Sequence, residues 1–177
     1  MQNINGKTDP HYRYKMQPIS ATIAGKGNGI FTIFNNLNDI AKHLNHPTTI
    51  LLKFISIYFG SMANDDKMTI TGGHKNDDLQ KALQIYINRF IICPSCDVPE
   101  TIPALIGSKK DINIELKCSA CGKTSAVVCN NKIEEKGLDL IIKYLQKNTW
   151  TISHKGTMVT SSKIDKTYEE DIENPFF

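Results

Sequence analysis

Four cysteines in two pairs constrain this chain more than any other feature: Cys93 and Cys96, a 21-residue spacer, then Cys118 and Cys121. Two residues between cysteines let a tight knuckle aim both thiolates at one ion, and two knuckles complete the tetrahedron that zinc accepts. Pro94 and Gly122 favour such turns, and Lys117 and Lys123 put positive charge beside the thiolates. The spacer is slightly longer than usual, which a hairpin within it absorbs. A redox pair or free structural thiols are the alternatives. A closed four-sulfur site has no open position for substrate, so the expected zinc is structural and does not by itself make an enzyme. Cys129 lies outside the knuckles and reads as a small buried hydrophobe in a strand. An odd number of cysteines clustered between 93 and 129 is unlike a secreted disulfide framework.

A ribbon carrying only the short β-prone runs "TIPALI", "INIEL" and "TSAVVC" is too small to hold a core unaided. Its support must come from the rest of the 177 residues, enough for one ordinary domain or two small lobes. "ISATIA" (19–24) and "GIFTIF" (29–34) read as strands joined by "GKGNG", a hairpin with a basic tip. Leu37, Ile40, Ala41 and Leu44 then fall on one helical face, and Pro47 bars that helix from continuing. Ile50, Leu51, Phe54, Ile55 and Tyr58 form a second helical stripe that stops at Gly60. "KMTITGG" (67–73) reads as a short strand. "NDDLQKALQIYINRF" reads as a helix that its Asn and Asp residues cap, with Leu79, Leu83, Tyr86 and Phe90 buried. After the ribbon, Leu138, Ile141, Ile142 and Leu145 share one side of a helix that either closes the ribbon or packs back on the first lobe. The fold class expected is therefore α+β. A mobile arm over 1–17 precedes a small α/β lobe over 18–91, built from the hairpin, short strands and helices. A zinc ribbon over 92–132, a closing helix over 133–149 and a flexible acidic tail over 150–177 follow.

The net charge of +3 decides little, but its distribution is uneven. Residues 1–54 hold six Lys or Arg against Asp9 and Asp39, and residues 165–177 hold five acids against Lys166. A basic front half points to phosphate contact and an acidic tail to a solvated end or a docking peptide. No run of about 18 apolar residues spans a membrane. The first twenty residues lack the apolar stretch of a secretory signal, so a soluble, cytoplasmic protein is expected; a monomer is expected besides. Positive charge is spelled with 19 Lys and only two Arg, Arg13 and Arg89. Arg13 stands between Tyr12 and Tyr14, and taken alone it reads as a surface arginine whose stem stacks on a tyrosine ring. His11 has no partner in the sequence for a catalytic arrangement and reads as surface.

"YRYKM", "GKGNGI", "ALQIYINRFIICPSCDVPET" and "CSACGK" occur in this order and at this spacing. The chain resembles the N-terminal domain of eukaryotic translation initiation factor 5 over about residues 9–149. The same fold resembles the beta subunit of initiation factor 2, but "YRYKM" followed by "GKGNG" favours factor 5. A beta-subunit likeness would also call for a lysine-rich N-terminal extension and a helix that binds the gamma subunit. Factor 5 itself resembles two domains on a long linker, and its C-terminal helical-repeat domain has no counterpart here.

The resemblance implies a GTPase-activating protein, not itself an enzyme. Its implied partner is initiation factor 2, whose gamma subunit carries GTP, Mg2+ and initiator tRNA on the small ribosomal subunit among other initiation factors. Arg13 matches the family's arginine. A guanidinium there can enter a partner's nucleotide site and make two hydrogen bonds to phosphate oxygens, a geometry lysine cannot copy. Lys53, after "NHPTTILL", matches one supporting lysine of the family; the other falls at Phe31 here. Lys15, Lys26 and Asn28 are the expected ribosome or tRNA contacts. Two other roles stay open: a non-catalytic ribosome-binding module or competitor that stabilises initiator tRNA at the start codon, and a beta-subunit-like component of initiation factor 2.

Overall fold

The computed structural model describes residues 1–108 and 111–148; the expected tail over 150–177 lies outside them. Strands β1 (Gln2–Asn3) and β2 (Lys15–Met16) pair antiparallel near the N-terminus. Strands β3 (Ala21–Ala24) and β4 (Phe31–Phe34) form the expected hairpin, with Ala21 opposite Phe34 and Ala24 opposite Phe31. A 3-10 turn over Gly27–Gly29 closes it. Gly25 is required at its base: φ is +91°, and a Cβ would lie 2.1 Å from the Gly29 carbonyl oxygen. Strands β5 (Ala63–Asn64) and β6 (Thr69–Thr71) extend this sheet in the order β3-β4-β6-β5.

The helices follow the apolar spacing. Helix α1 (Leu37–Leu44) buries Leu37, Ile40, Ala41 and Leu44, and it stops at Asn45 in the left-handed region, before Pro47 is reached. The Asn45 and His46 amides bond back to the Lys42 and Ala41 carbonyls. Pro47 then becomes the N-cap of α2 (Thr48–Phe59), which ends in the same manner at Gly60, φ 63°. Helix α3 (Asn76–Phe90) buries Leu79, Ala82, Leu83, Tyr86, Ile87 and Phe90 completely. Its N-cap is Lys75, without a side-chain cap. Asn76 does not cap as the sequence suggests: its Oδ1 accepts a hydrogen bond from the Ala21 amide at 3.0 Å and ties β3 to the helix.

The three ribbon strands are β7 (Thr101–Ser108), β8 (Asp111–Cys118) and β9 (Thr124–Ala126), antiparallel in that order. Helix α4 (Lys132–Lys147) begins at Asn131, whose side chain accepts hydrogen bonds from the Ile133 and Glu134 amides. The sequence leaves its destination open, and it does both jobs, packing on α2 and α3 and on the ribbon strands β7 and β8. Gly137 permits the close crossing, because a Cβ there would lie 2.7 Å from the Phe54 ring. Phe54, Tyr86 and Phe90 form the aromatic centre, with ring centroids 5.0 to 6.1 Å apart. Ribbon residues Ile114, Leu116 and Val127 join the same buried cluster as the helices. Aliphatics worth about 1.5–3 kcal/mol each cannot, at three in number, order a lobe of this length, so the ribbon strands lean on the helices beside them.

The expected mobile arm over 1–17 is a correction. These residues are built into the body: Ile4 and Met16 are 2% and 0% exposed, and Gln84 of α3 donates from Nε2 to the Ile4 carbonyl at 2.9 Å. Two apolar anchors twelve positions apart leave no periodicity to read, and the remaining ties are polar.

Candidate metal centre and the loop docked on it

The four sulfurs of Cys93, Cys96, Cys118 and Cys121 lie within 4.8 Å of one another. Cys93 Sγ is 3.7 Å from Cys121 Sγ, and Cys96 Sγ is 3.6 Å from Cys118 Sγ. A tetrahedron with zinc–sulfur bonds of about 2.3 Å has edges of about 3.8 Å, so the donor set fits zinc. A disulfide needs about 2.05 Å and is excluded. Cys93 and Cys118 are buried, Cys96 is half-buried and Cys121 faces solvent.

Each knuckle is shaped by two backbone hydrogen bonds. In the first, the Asp97 amide donates to the Cys93 carbonyl at 2.9 Å and the Cys93 amide to the Val98 carbonyl at 3.0 Å. In the second, Gly122 donates to Cys118 and Cys118 to Lys123, both at 2.9 Å. The residue after the second cysteine is left-handed in both, Asp97 at φ 60° and Gly122 at φ 72°. Cys129 departs from its expected place in a strand. β9 ends at Ala126 because the chain must leave the sheet for the α4 cap, and Cys129 sits half-buried in that connection. Burial, with the nearby Glu134 carboxylate adding to it, pushes its thiol pKa up.

The N-terminal loop rests on the first knuckle. Asn3 Nδ2 holds it in shape by donating to the Lys7 and Asp9 carbonyls at 2.7 and 2.6 Å. Asp97 Oδ2 accepts from Asn5 Nδ2 at 3.0 Å and from the Lys7 ammonium at 2.7 Å. The Tyr12 hydroxyl donates to the Asp97 carbonyl at 2.9 Å, and the Tyr14 hydroxyl donates to a carboxylate oxygen of Glu100. The two rings meet edge-on, 5.7 Å between centroids. Burial, reinforced by Asp97, pushes the Tyr12 phenol up to about 12. The hydrogen bond to Glu100, with burial, raises Tyr14. Both phenols therefore stay protonated and remain donors.

Burial alternates along this stretch, with Arg13 at a bend just before β2. Tyr12 and Tyr14 are half-buried, Arg13 and Lys15 are exposed, and Met16 is buried. The Arg13 guanidinium makes no hydrogen bond or ion pair among the described residues. Arg89 differs: its Nε lies 2.8 Å from Glu134 Oε2, and the Glu134 side chain is 8% exposed, so this pair joins α3 to α4. One arginine is structural and the other faces outward.

The other expected site residues are spread over separate elements. The Lys53 ammonium, on α2, is held 2.8 Å from Asp65 Oδ2. Lys15 Nζ folds back to the Pro10 carbonyl at 3.2 Å. Lys26 and Asn28 are exposed at the hairpin tip, and Phe31 is 36% exposed at the start of β4. His11 is exposed, as expected. Asp97 and Glu100 escaped notice in the sequence. The signal was present for Asp97: setting "CPSCD" beside "CSACG" puts it where the second knuckle uses glycine.

A four-cysteine ribbon sharing a core with a mixed α/β body, and carrying an N-terminal loop across the junction, defines a zinc-ribbon factor module. Residues 5–124 match the family described as a domain found in initiation factors 2B and 5, and the chain belongs to that family. Over 129 residues it is 37% identical to "Probable eukaryotic translation initiation factor 5" of Schizosaccharomyces pombe, covering 71% of this chain and 32% of that protein. It is 38% identical over 136 residues to "Eukaryotic translation initiation factor 5" of Caenorhabditis elegans, covering 74% and 30%. The protein of that name from Saccharomyces cerevisiae is 36% identical over 129 residues, covering 71% and 31%. The likeness is therefore to a translation initiation factor of the factor 5 kind, and the chain spans about a third of the length of these curated relatives. No described helix is long and apolar enough to cross a membrane.

Proposed function

We propose that this chain activates GTP hydrolysis by initiation factor 2 in the preinitiation complex and so assists start-codon selection. The observation that carries the reading is Arg13: exposed, without a polar partner among the described residues, and standing between two anchored tyrosines. A guanidinium displayed in this way is suited to enter the nucleotide site of the gamma subunit and meet charge growing on the γ-phosphate oxygens. GTP and Mg2+ belong to that partner, which also holds initiator tRNA on the small ribosomal subunit. The chain contributes an arginine in trans and a ribbon whose four cysteines hold one structural zinc. It works as a cytoplasmic monomer among the other initiation factors. Lys53 is a supporting residue only if the partner displaces it from Asp65.

The test is GTP hydrolysis in reconstituted preinitiation complexes with the wild type and Arg13→Lys. An arginine finger supplies about 10³ to 10⁵ in rate, so the lysine variant is expected to lose nearly all stimulation. Undiminished stimulation by that variant sinks the reading.

A second reading, a ribosome-binding module without a catalytic role, is favoured by the hairpin tip, where Lys26 and Asn28 are exposed, and by Phe31 at a position where the resemblance calls for lysine. Under it, binding to small subunits carrying initiator tRNA falls steeply with salt and weakens in Lys26→Glu, while Arg13→Lys binds and acts as the wild type does. A beta-subunit-like role predicts stable capture of the gamma subunit, and a pull-down lacking that subunit excludes it.

A further inference from the structure

The first knuckle does more than bind metal. Residues 97–100 directly follow Cys96 and receive both tyrosines that flank Arg13: Tyr12 through the Asp97 carbonyl and Tyr14 through the Glu100 carboxylate. These are the only residues between Cys96 and β7, so the acceptors are fixed on one side by a metal ligand and on the other by the ribbon sheet. Cross-links from Asn5 and Lys7 to the Asp97 carboxylate close the other side of the loop. We infer that Tyr12 and Tyr14 are positioning residues, which use the first zinc knuckle as a mount to hold Arg13 outward, pre-ordered for its partner. The inference rests on the arginine-finger reading and adds to it the residues that aim the finger.

The ranking of the contacts follows from their surroundings. Lys7 and Asp97 form a pair whose side chains are 67% and 42% exposed, and such a pair contributes little. The two phenols are half-buried, and one of their acceptors is a carboxylate, which makes the stronger kind of hydrogen bond. With both neighbouring phenols tied to the first knuckle, Arg13 stands at the bend between them and faces solvent. An ordered guanidinium loses less freedom on entering the partner's site than one on a free arm, so the benefit should appear in the maximal rate.

The test uses the full chain and the variant Tyr12→Phe/Tyr14→Phe, which keeps both rings and removes both hydroxyls. In reconstituted complexes, the maximal rate of GTP hydrolysis and the half-saturating concentration are measured separately. Backbone relaxation of the free protein gives the order parameter at Arg13. The expected result is a maximal rate lower by roughly tenfold or more, for two lost hydrogen bonds. The half-saturating concentration should stay within about twofold, while the Arg13 order parameter falls from near 0.85 to below about 0.6. Glu100→Gln, which keeps an acceptor for Tyr14, should retain most of the rate that Glu100→Ala loses. A wild-type rate and order parameter in the double variant, with Arg13→Lys inactive, overturn the mount and leave the finger standing. A change confined to the half-saturating concentration overturns it as well, because the tyrosines would then serve docking. If Arg13→Lys is fully active, the finger itself fails and the order parameter alone decides the anchoring, an unchanged value overturning that too.

Discussion

The Cys93–Cys96 and Cys118–Cys121 knuckles turn through equivalent hydrogen bonds and both need a left-handed residue after the second cysteine. One fills that place with Asp97 and the other with Gly122. Around Gly122 an added Cβ would meet nothing within 4 Å, and the knuckle faces solvent at Cys121. Around Asp97 the space is taken by Asn5, Lys7 and Tyr12. Glycine meets the backbone demand of such a turn freely, whereas a side chain there is strained, aspartate less than most. The metal therefore does not explain aspartate at 97; the loop docked on it does. Two turns of equal geometry have unequal surroundings: both present cysteines that could hold one ion, but only the first also carries the contacts of the N-terminal loop.

The largest way to break this pair is to withhold the zinc that its four cysteines could share. Apparent binding free energies for structural zinc are of order 10 kcal/mol, more than Ile114, Leu116 and Val127 could return by burial. Native mass spectrometry is expected to find one zinc in the wild type and in Cys129→Ser, and much weaker retention in Cys118→Ser. Zinc loss from Cys129→Ser instead would show the wrong four ligands. Chelation should unprotect amides near 93–130 first and, because the mount is lost, those of residues 4–14 with them. Protection of α2 and α3 should persist longest, since their side chains form the aromatic centre.

Acid separates the ribbon from the body on which it leans. His46 is fully buried beside Tyr86, whose hydroxyl lies 2.9 Å from Nδ1, and burial lowers its pKa from 6.5 to about 3. The unfolded chain takes up a proton there below pH 6.5, and the folded chain does not until about pH 3. This contribution to stability is complete above pH 6.5 and is lost as pH falls through that window, by about 2 kcal/mol at pH 5. Urea midpoints at pH 7 and 5, with zinc content followed in parallel, should fall less steeply in His46→Gln than in the wild type. Equal slopes would place the acid sensitivity in the thiolates alone.

The helices were legible because their signal is periodic: Leu37, Ile40, Ala41 and Leu44, or Leu79, Leu83, Tyr86 and Phe90, can face only one way. The four ligands were legible because spacing alone defines a knuckle. The N-terminal loop was not, since Asn3 satisfies carbonyls four and six residues away and Tyr12 and Tyr14 find acceptors 85 and 86 residues distant. Such polar, long-range partners have no repeat in the sequence. Asn76 misled for a related reason: a residue suited to capping was used by a neighbouring strand.

The smallest expected effect discriminates most finely between the knuckles, because it exchanges their one difference. Asp97→Gly removes the left-handed strain but also the acceptors for Asn5 and Lys7, whereas Gly122→Asp brings strain into open space without supplying any partner. A non-glycine residue in this conformation costs about 1 kcal/mol, and less for aspartate, so Gly122→Asp should lower ribbon stability by about that amount and leave the N-terminal loop untouched. Asp97→Gly should change ribbon stability by less than about 1 kcal/mol, strain relief offsetting an exposed ion pair and one neutral donor. Its effect should appear in the loop, as faster hydrogen exchange at the amides of Ile4, Gly6 and Tyr12, which bond within the loop itself. The Tyr12 hydroxyl can still reach the carbonyl at 97, so loosening should be partial, several-fold in exchange rate. If Asp97→Gly leaves loop exchange unchanged and instead destabilises the ribbon as Gly122→Asp does, the two knuckles carry the same work and the asymmetry between them has no mechanical meaning.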